Sequence, residues 1–140
     1  MICFQRQLQV ETRPGAAHDI SREIEQVVRE SGVRVGLCTV FVRHTSASLV
    51  IQENADPSVQ RDLRRWLGEL APESRHWEHD AEGADDMPAH ARAAITRSSE
   101  SIPVTDGRLA LGTWQGVYLW EHRSRPYQRQ VVVHVMGEAA

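Results

Sequence analysis

Two stretches of the chain carry side chains whose types and spacing suit chemistry. Residues 43–57 read Arg-His-Thr-Ser-Ala-Ser-Leu-Val-Ile-Gln-Glu-Asn-Ala-Asp-Pro, which sets unlike polar groups against a strand-like apolar core. Residues 78–90 hold two imidazoles and five carboxylates within thirteen residues that also include a glycine and a proline. Loops of that composition usually bind or catalyse. His44 at a strand end, His79 in the acidic loop and His90 near a helix start are histidines that a fold can converge. Neutral imidazole is the commonest metal ligand, and a helix N-terminus disfavours the protonated ring, which keeps His90 ligating. Three protein nitrogens and an open fourth position describe a catalytic or ligand-binding ion, zinc or a similar one. The alternative is three ordinary hydrogen-bonded histidines.

Other groups add to this set. Asp85 and Asp86 read as orienters of the histidines or as hard ligands for Mg²⁺, and equally as helix caps. Strand alternation puts Glu53 on the face of Leu49 and Ile51, where an inward carboxylate needs a partner and can serve as acid or base, next to Asn54. In Gly112-Thr-Trp-Gln115-Gly116 the glycines admit a ligand to the backbone, with Gln115 as a neutral hydrogen-bonding group. His122-Arg123 and Arg129 suit an anion, or solvated surface. Ser46 and Ser48 lie close to His44, but serine chemistry wants a strained turn and an orienting acid that the sequence does not supply.

The composition narrows the classes. With 140 residues, 41% hydrophobic and 25% charged, the chain fits one globular domain over 1–140. No apolar run approaches the roughly 20 residues of a membrane span, and no signal-peptide pattern opens the chain, so no membrane and a cytoplasmic home are expected. A net charge of −3 argues against nucleic acid as partner. All sixteen basic residues are arginines, which removes lysine nucleophiles and the lysine of a phosphate-binding P-loop. Cys3 and Cys38 do not make a disulfide framework.

The elements that must position these groups follow from periodicity. Phe4, Leu8 and Val10 give a strand over 3–12, and Ile20, Ile24, Val27 and Val28 a helix bounded by His18-Asp19 and Gly32. Val35–Val42 and Leu49–Ile51 are strands meeting at a polar corner. Asp56-Pro57 starts a second helix with Val59, Leu63, Trp66, Leu67 and Leu70 on one face. Residues 71–87 are long for a plain connection and read as a functional loop, followed by a short helix over about 87–97. Ile102–Val104, Leu109–Leu111, Trp114–Trp120 and Val131–Val135 complete about seven strands. The fold class is therefore α+β, with a mainly antiparallel sheet core and about three helices. Trp114, Tyr118, Trp120 and His122 share a strand parity, which predicts a broad face at a subunit interface.

Taken together, His44-Thr-Ser-Ala-Ser-Leu49, Glu53-Asn54-Ala-Asp56-Pro57, Glu78-His79-Asp80 through Asp85-Asp86-Met-Pro-Ala-His90, Ile102-Pro-Val104 and Gly112-Thr-Trp-Gln-Gly116 with Glu121-His122-Arg123 resemble the YjbQ-like proteins. This is an uncharacterised family whose members carry the name secondary thiamine-phosphate synthase enzyme. The resemblance implies a YjbQ-like α+β homotrimer with a histidine and carboxylate pocket. It also implies a transferase reaction that joins hydroxymethylpyrimidine diphosphate to thiazole phosphate, as a secondary activity. On this reading Glu53, Asn54, Asp86 and His122 are catalytic. Thr45, Ser46, Gln115, Arg123 and Arg129 bind the small phosphorylated substrate, and His44, His79 and His90 hold a divalent metal, zinc or Mg. Two alternatives stand beside it: a metal-assisted hydrolase of a small phosphorylated or anionic metabolite, and a non-catalytic module that binds a metabolite or metal.

Overall fold

The computed structural model describes residues 1–139. The chain runs β1 (Ile2–Glu11), β2 (Ala17–Asp19), α1 (Ser21–Ser31), β3 (Val35–Val42), β4 (Ala47–Glu53), α2 (Pro57–Leu70), α3 (Asp86–Ile95), β5 (Ser99–Thr105), β6 (Arg108–Leu109), β7 (Gln115–Glu121) and β8 (Gln128–Glu138). The fold is α+β, with every strand pairing antiparallel. The strands form two sheets, of order β1-β8-β3-β5-β6 and β2-β7-β4. Alternation explains the larger one: Cys38, Val40 and Val42 of β3 and Val131, Val133 and Val135 of β8 turn inward and are fully buried. They meet Leu49 of β4 and Val117 and Leu119 of β7 from the smaller sheet, so the core lies between the inner faces.

α1 closes the core with Ile24, Val27 and Val28, each at most 3% exposed. Burying each such side chain is worth about 1.5–3 kcal/mol. The helix stops at Gly32, whose φ of 74° supplies the left-handed cap that the sequence predicts. The strand not predicted is β2. His18-Asp19, read as the boundary of α1, joins Ala17 in a three-residue strand against Tyr118–Trp120, and Asp19 still accepts from the Ser21 N–H at 2.9 Å.

α2 begins as predicted, with Asp56 accepting from the Ser58 N–H at 2.9 Å and Pro57 in the first turn. Of its apolar stripe only Leu67 is buried, while Trp66 and Leu70 are about half exposed. The aromatic face of β7 is not the exposed surface predicted from its parity. Tyr118, Trp120 and His122 are buried, the last two beside Leu67 of α2 and Arg92 of α3, and Trp114 alone of the four stays exposed. The large apolar side chains that do face outward from the sheets include Val35, Leu37 and Phe41 on β3 and Met136 on β8. Among the described residues no helix is long and apolar enough to cross a membrane.

Candidate metal centre

α3 and the loop before it bring together His79, Asp86 and His90. The helix starts at Asp86, so Asp86 and His90 lie four residues apart on one face, and loop 71–85 folds His79 onto them. His79 Nε2 stands 2.8 Å and His90 Nε2 3.2 Å from the same oxygen, Asp86 Oδ2. All three ligand atoms lie within 4.8 Å of one another. Asp86 is 2% exposed, and its other oxygen, Oδ1, forms an ion pair with Arg123 Nη1 at 2.9 Å. Burial alone would push this carboxyl up, but the hydrogen bond from His79 and the nearby positive charges outweigh it and hold Asp86 ionised.

The ring of His90 is oriented by backbone. Its Nδ1 lies 3.0 Å from the Thr45 carbonyl, which only accepts, so Nδ1 carries the proton and donates. A neutral His90 therefore turns the Nε2 lone pair toward a carboxylate, and the space between them calls for a second proton or a cation. Metal-ligating histidines have this arrangement, with the second ring nitrogen donating to a backbone carbonyl. Ligands on a tetrahedral ion with bonds of about 2.0–2.1 Å stand roughly 3.4 Å apart. The His90–Asp86 pair is close to that spacing. The His79–Asp86 pair needs to open by about half an ångström, which a loop residue with a side chain 49% exposed can do.

Not every predicted residue joins this cluster. His44 does not: its Nε2 accepts the Gln130 backbone N–H at 2.8 Å, and the third ligand-type side chain in the cluster is Asp86. His44 instead lines a hollow of about 360 Å³ with Thr45, His90 and Ser98. Glu53, Asn54 and Gln115 gather at the opposite end of β4, six residues or about 20 Å along the strand from Ala47. There Glu53 accepts from the Asp56 N–H at 3.2 Å, Asn54 donates to the Gln115 carbonyl at 3.3 Å and the Gln115 side chain accepts from Gly112 N–H at 2.7 Å. These bonds shape the approach to α2.

Arg129 is committed to structure. It is buried and donates from Nε to Glu121 Oε1 at 2.7 Å and from Nη2 to Oε2 at 2.5 Å and to Ser46 Oγ at 2.9 Å. Burial would raise the Glu121 carboxyl, but the hydrogen bonds from Arg129 and Thr12 prevail and hold it below the usual range. Ser46 thus orients an arginine. Arg123 is likewise paired, with Asp85 at 2.9 Å as well as Asp86. That bond, foremost, holds Asp85 far below the ordinary carboxylate range. Asp85 precedes α3 but does not cap it, since its side chain serves Arg123 and the Ser124 N–H at 2.9 Å. His122 is 3% exposed, bonds Ser48 Oγ through Nε2 at 2.7 Å and stacks on Trp120. Burial, then the charge of Arg92, pushes it down to about 4, so it is neutral at pH 7.

The family model described as UPF0047 protein YjbQ-like matches residues 6–138. The chain belongs to the YjbQ-like family. A UPF0047 protein of Synechocystis is 58% identical over 96% of this chain and 92% of that one. The UPF0047 protein YjbQ of Salmonella typhimurium is 40% identical over 96% of this chain and 99% of its own. Among solved structures, a YbjQ-like protein of unknown function from Sulfolobus solfataricus superposes with a TM-score of 0.91 at 29% identity, covering 97% and 98% of the two chains. A YjbQ/UPF0047 family protein of Clostridium acetobutylicum gives 0.87 at 36% identity, covering 94% and 99%.

Proposed function

We propose that this YjbQ-like protein is a metal-dependent enzyme acting on a small phosphorylated or anionic metabolite, with His79, Asp86 and His90 holding a divalent ion, zinc first. The observation that carries this reading is the Thr45 carbonyl at His90 Nδ1, which turns Nε2 toward the buried Asp86 carboxylate and His79, where a cation can take the place of a second proton. Three protein ligands leave positions open, as catalytic ions require. When bound, such an ion supplies Lewis-acid stabilisation of charge on a phosphoryl oxygen or leaving group. Around it, Arg123 orients Asp86 through Oδ1, and Asp85 in turn orients Arg123.

Thiamine-phosphate synthesis is a narrower form of the same reading. Its departing pyrophosphate needs an arginine or metal clamp. With Arg123 and Arg129 paired to carboxylates, that task falls to the ion and to other arginines. Assembly into a homotrimer is supported by the exposed Val35, Leu37, Phe41 and Met136, an apolar surface that a second copy would cover.

The test is turnover of a panel of small phosphate esters, together with the two thiamine-phosphate precursors. Each is assayed with protein stripped by chelator and with protein reloaded with zinc or Mg²⁺. The proposal expects activity on reloading and none in His90→Ala. Equal turnover by stripped protein, or by the variant, would remove the metal from the account.

A further inference from the structure

Beside the histidine cluster lies a second hollow, of about 180 Å³, between α2, α3 and the turn after β7. Its walls include Arg64 from α2, Arg92 from α3, and His122, Arg123 and Ser124. Arg92 is the notable member. Its Nη2 donates to the Ala71 carbonyl at 2.9 Å, while its Nε is buried and, among the described residues, is the one buried side-chain polar atom with no partner. A charged N–H left that way costs free energy unless something accepts from it. Arg64 has no ion pair among the described residues either, and its guanidinium lies against Gly15, where an added Cβ would stand 2.6 Å from Nη2.

The carboxylates in the wall are mostly spoken for. Asp85 serves Arg123 and Ser124, and Glu121 serves Arg129 and Thr12. Glu73 is the one left, and no ion pair within 4.0 Å ties it to either free arginine among the described residues. Two cations thus face one loose carboxylate. His122 adds a neutral polar ring to the wall, with Nε2 bonded to Ser48 Oγ at 2.7 Å.

We propose that this hollow is a subsite for a phosphate-class oxyanion, gripped by Arg64 and Arg92, with the neutral His122 ring in its wall. The proposal deepens the metal reading, since Arg123 touches both the hollow and Asp86, and it names the part of the substrate that the arginines hold while the neighbouring centre acts. Guanidinium forks match phosphate oxygens, and a buried fork binds more strongly than a solvated one.

The test is titration of inorganic phosphate and pyrophosphate into chelator-stripped protein, followed by calorimetry and by the His122 ring resonances in NMR. The variants are Arg92→Gln, Arg64→Gln, Glu73→Gln and His79→Ala, each checked for folding by thermal melting. Arg64 is exposed, so its variant keeps the test available if Arg92→Gln is unstable. The subsite predicts binding to stripped wild type and to His79→Ala, a shift of the His122 signals, about tenfold or greater weakening in each arginine variant, and tighter binding in Glu73→Gln. Three results overturn it: no binding to folded wild type at millimolar anion, affinity unchanged in both arginine variants, or binding that needs metal and vanishes in His79→Ala. The last would place the anion on the ion itself. Anion binding by a protein that takes up no metal would leave the subsite standing and remove the metal reading alone.

Discussion

Replacing Arg129 by methionine should lower the melting temperature by about 10–17 °C without touching the metal centre. The Arg129 and Glu121 side chains are 6% and 0% exposed, and the arginine supplies both oxygens of Glu121 with a charged hydrogen bond. Methionine fills the space but leaves Glu121 with only Thr12 and the Arg123 backbone N–H, and with no counter-charge. Breaking a buried pair from one side costs about 3–5 kcal/mol. Unfolding entropy of about 2.1 cal/mol/K per residue gives roughly 0.3 kcal/mol/K for this chain, which converts that cost to the stated range. Adding Glu121→Leu removes the stranded charge and should restore most of the loss. Because Glu121 is held below the usual carboxylate range, the pair contributes fully at neutral pH and fades as pH falls through the native value. Thermal melts by circular dichroism at pH 7, on both variants, decide the matter. A single variant melting within about 3 °C of wild type, with reduced anion affinity, would show that Arg129 is a free clamp and refute the reasoning.

Three further outcomes follow from particular residues. His122 sits at about 4 in the folded protein against an ordinary value near 6.5, so between those values the unfolded chain binds the proton and stability falls as pH drops, by about 3 kcal/mol in all. His122→Asn should flatten that slope in denaturant titrations at pH 4–7, leaving the smaller shares of His18 and His44, which are shifted in the same direction. Burial pushes the Cys38 thiol up to about 12 while Cys3 is exposed, so a thiol reagent should modify Cys3 alone in the native protein and both cysteines in denaturant, read by mass spectrometry. Phe41→Glu, on the outer face of β3, should shift the assembly toward monomer in light scattering while the melting profile of the monomer is kept.

Much of the fold is legible in the sequence because β-branched runs such as Val131–Val135 and the Asp56-Pro57 cap have local causes. Strand pairing does not. Nothing in the period of β4 or β7 says that they leave the larger sheet, and β2 is too short to show alternation. The parity of Trp114 to His122 is real, but parity does not tell what packs over the face it defines. In the candidate centre, His79 and His90 are readable from composition, and the four-residue spacing from Asp86 to His90 on one helix is the signal that picks out the third member of the cluster. His44 misleads because a histidine at a strand end also suits a backbone N–H. Arg92 was invisible, since a helix arginine is ordinarily solvated and only packing shows its Nε buried.

If His79, Asp86 and His90 form a metal centre, elemental analysis of the purified protein will find the ion. Wild type and His79→Ala are each exposed to zinc, freed of unbound ion and compared as folded proteins. The expected result is a stoichiometric divalent ion in the wild type, lost in the variant. A folded wild type that holds no metal, or a variant that holds as much, would contradict it.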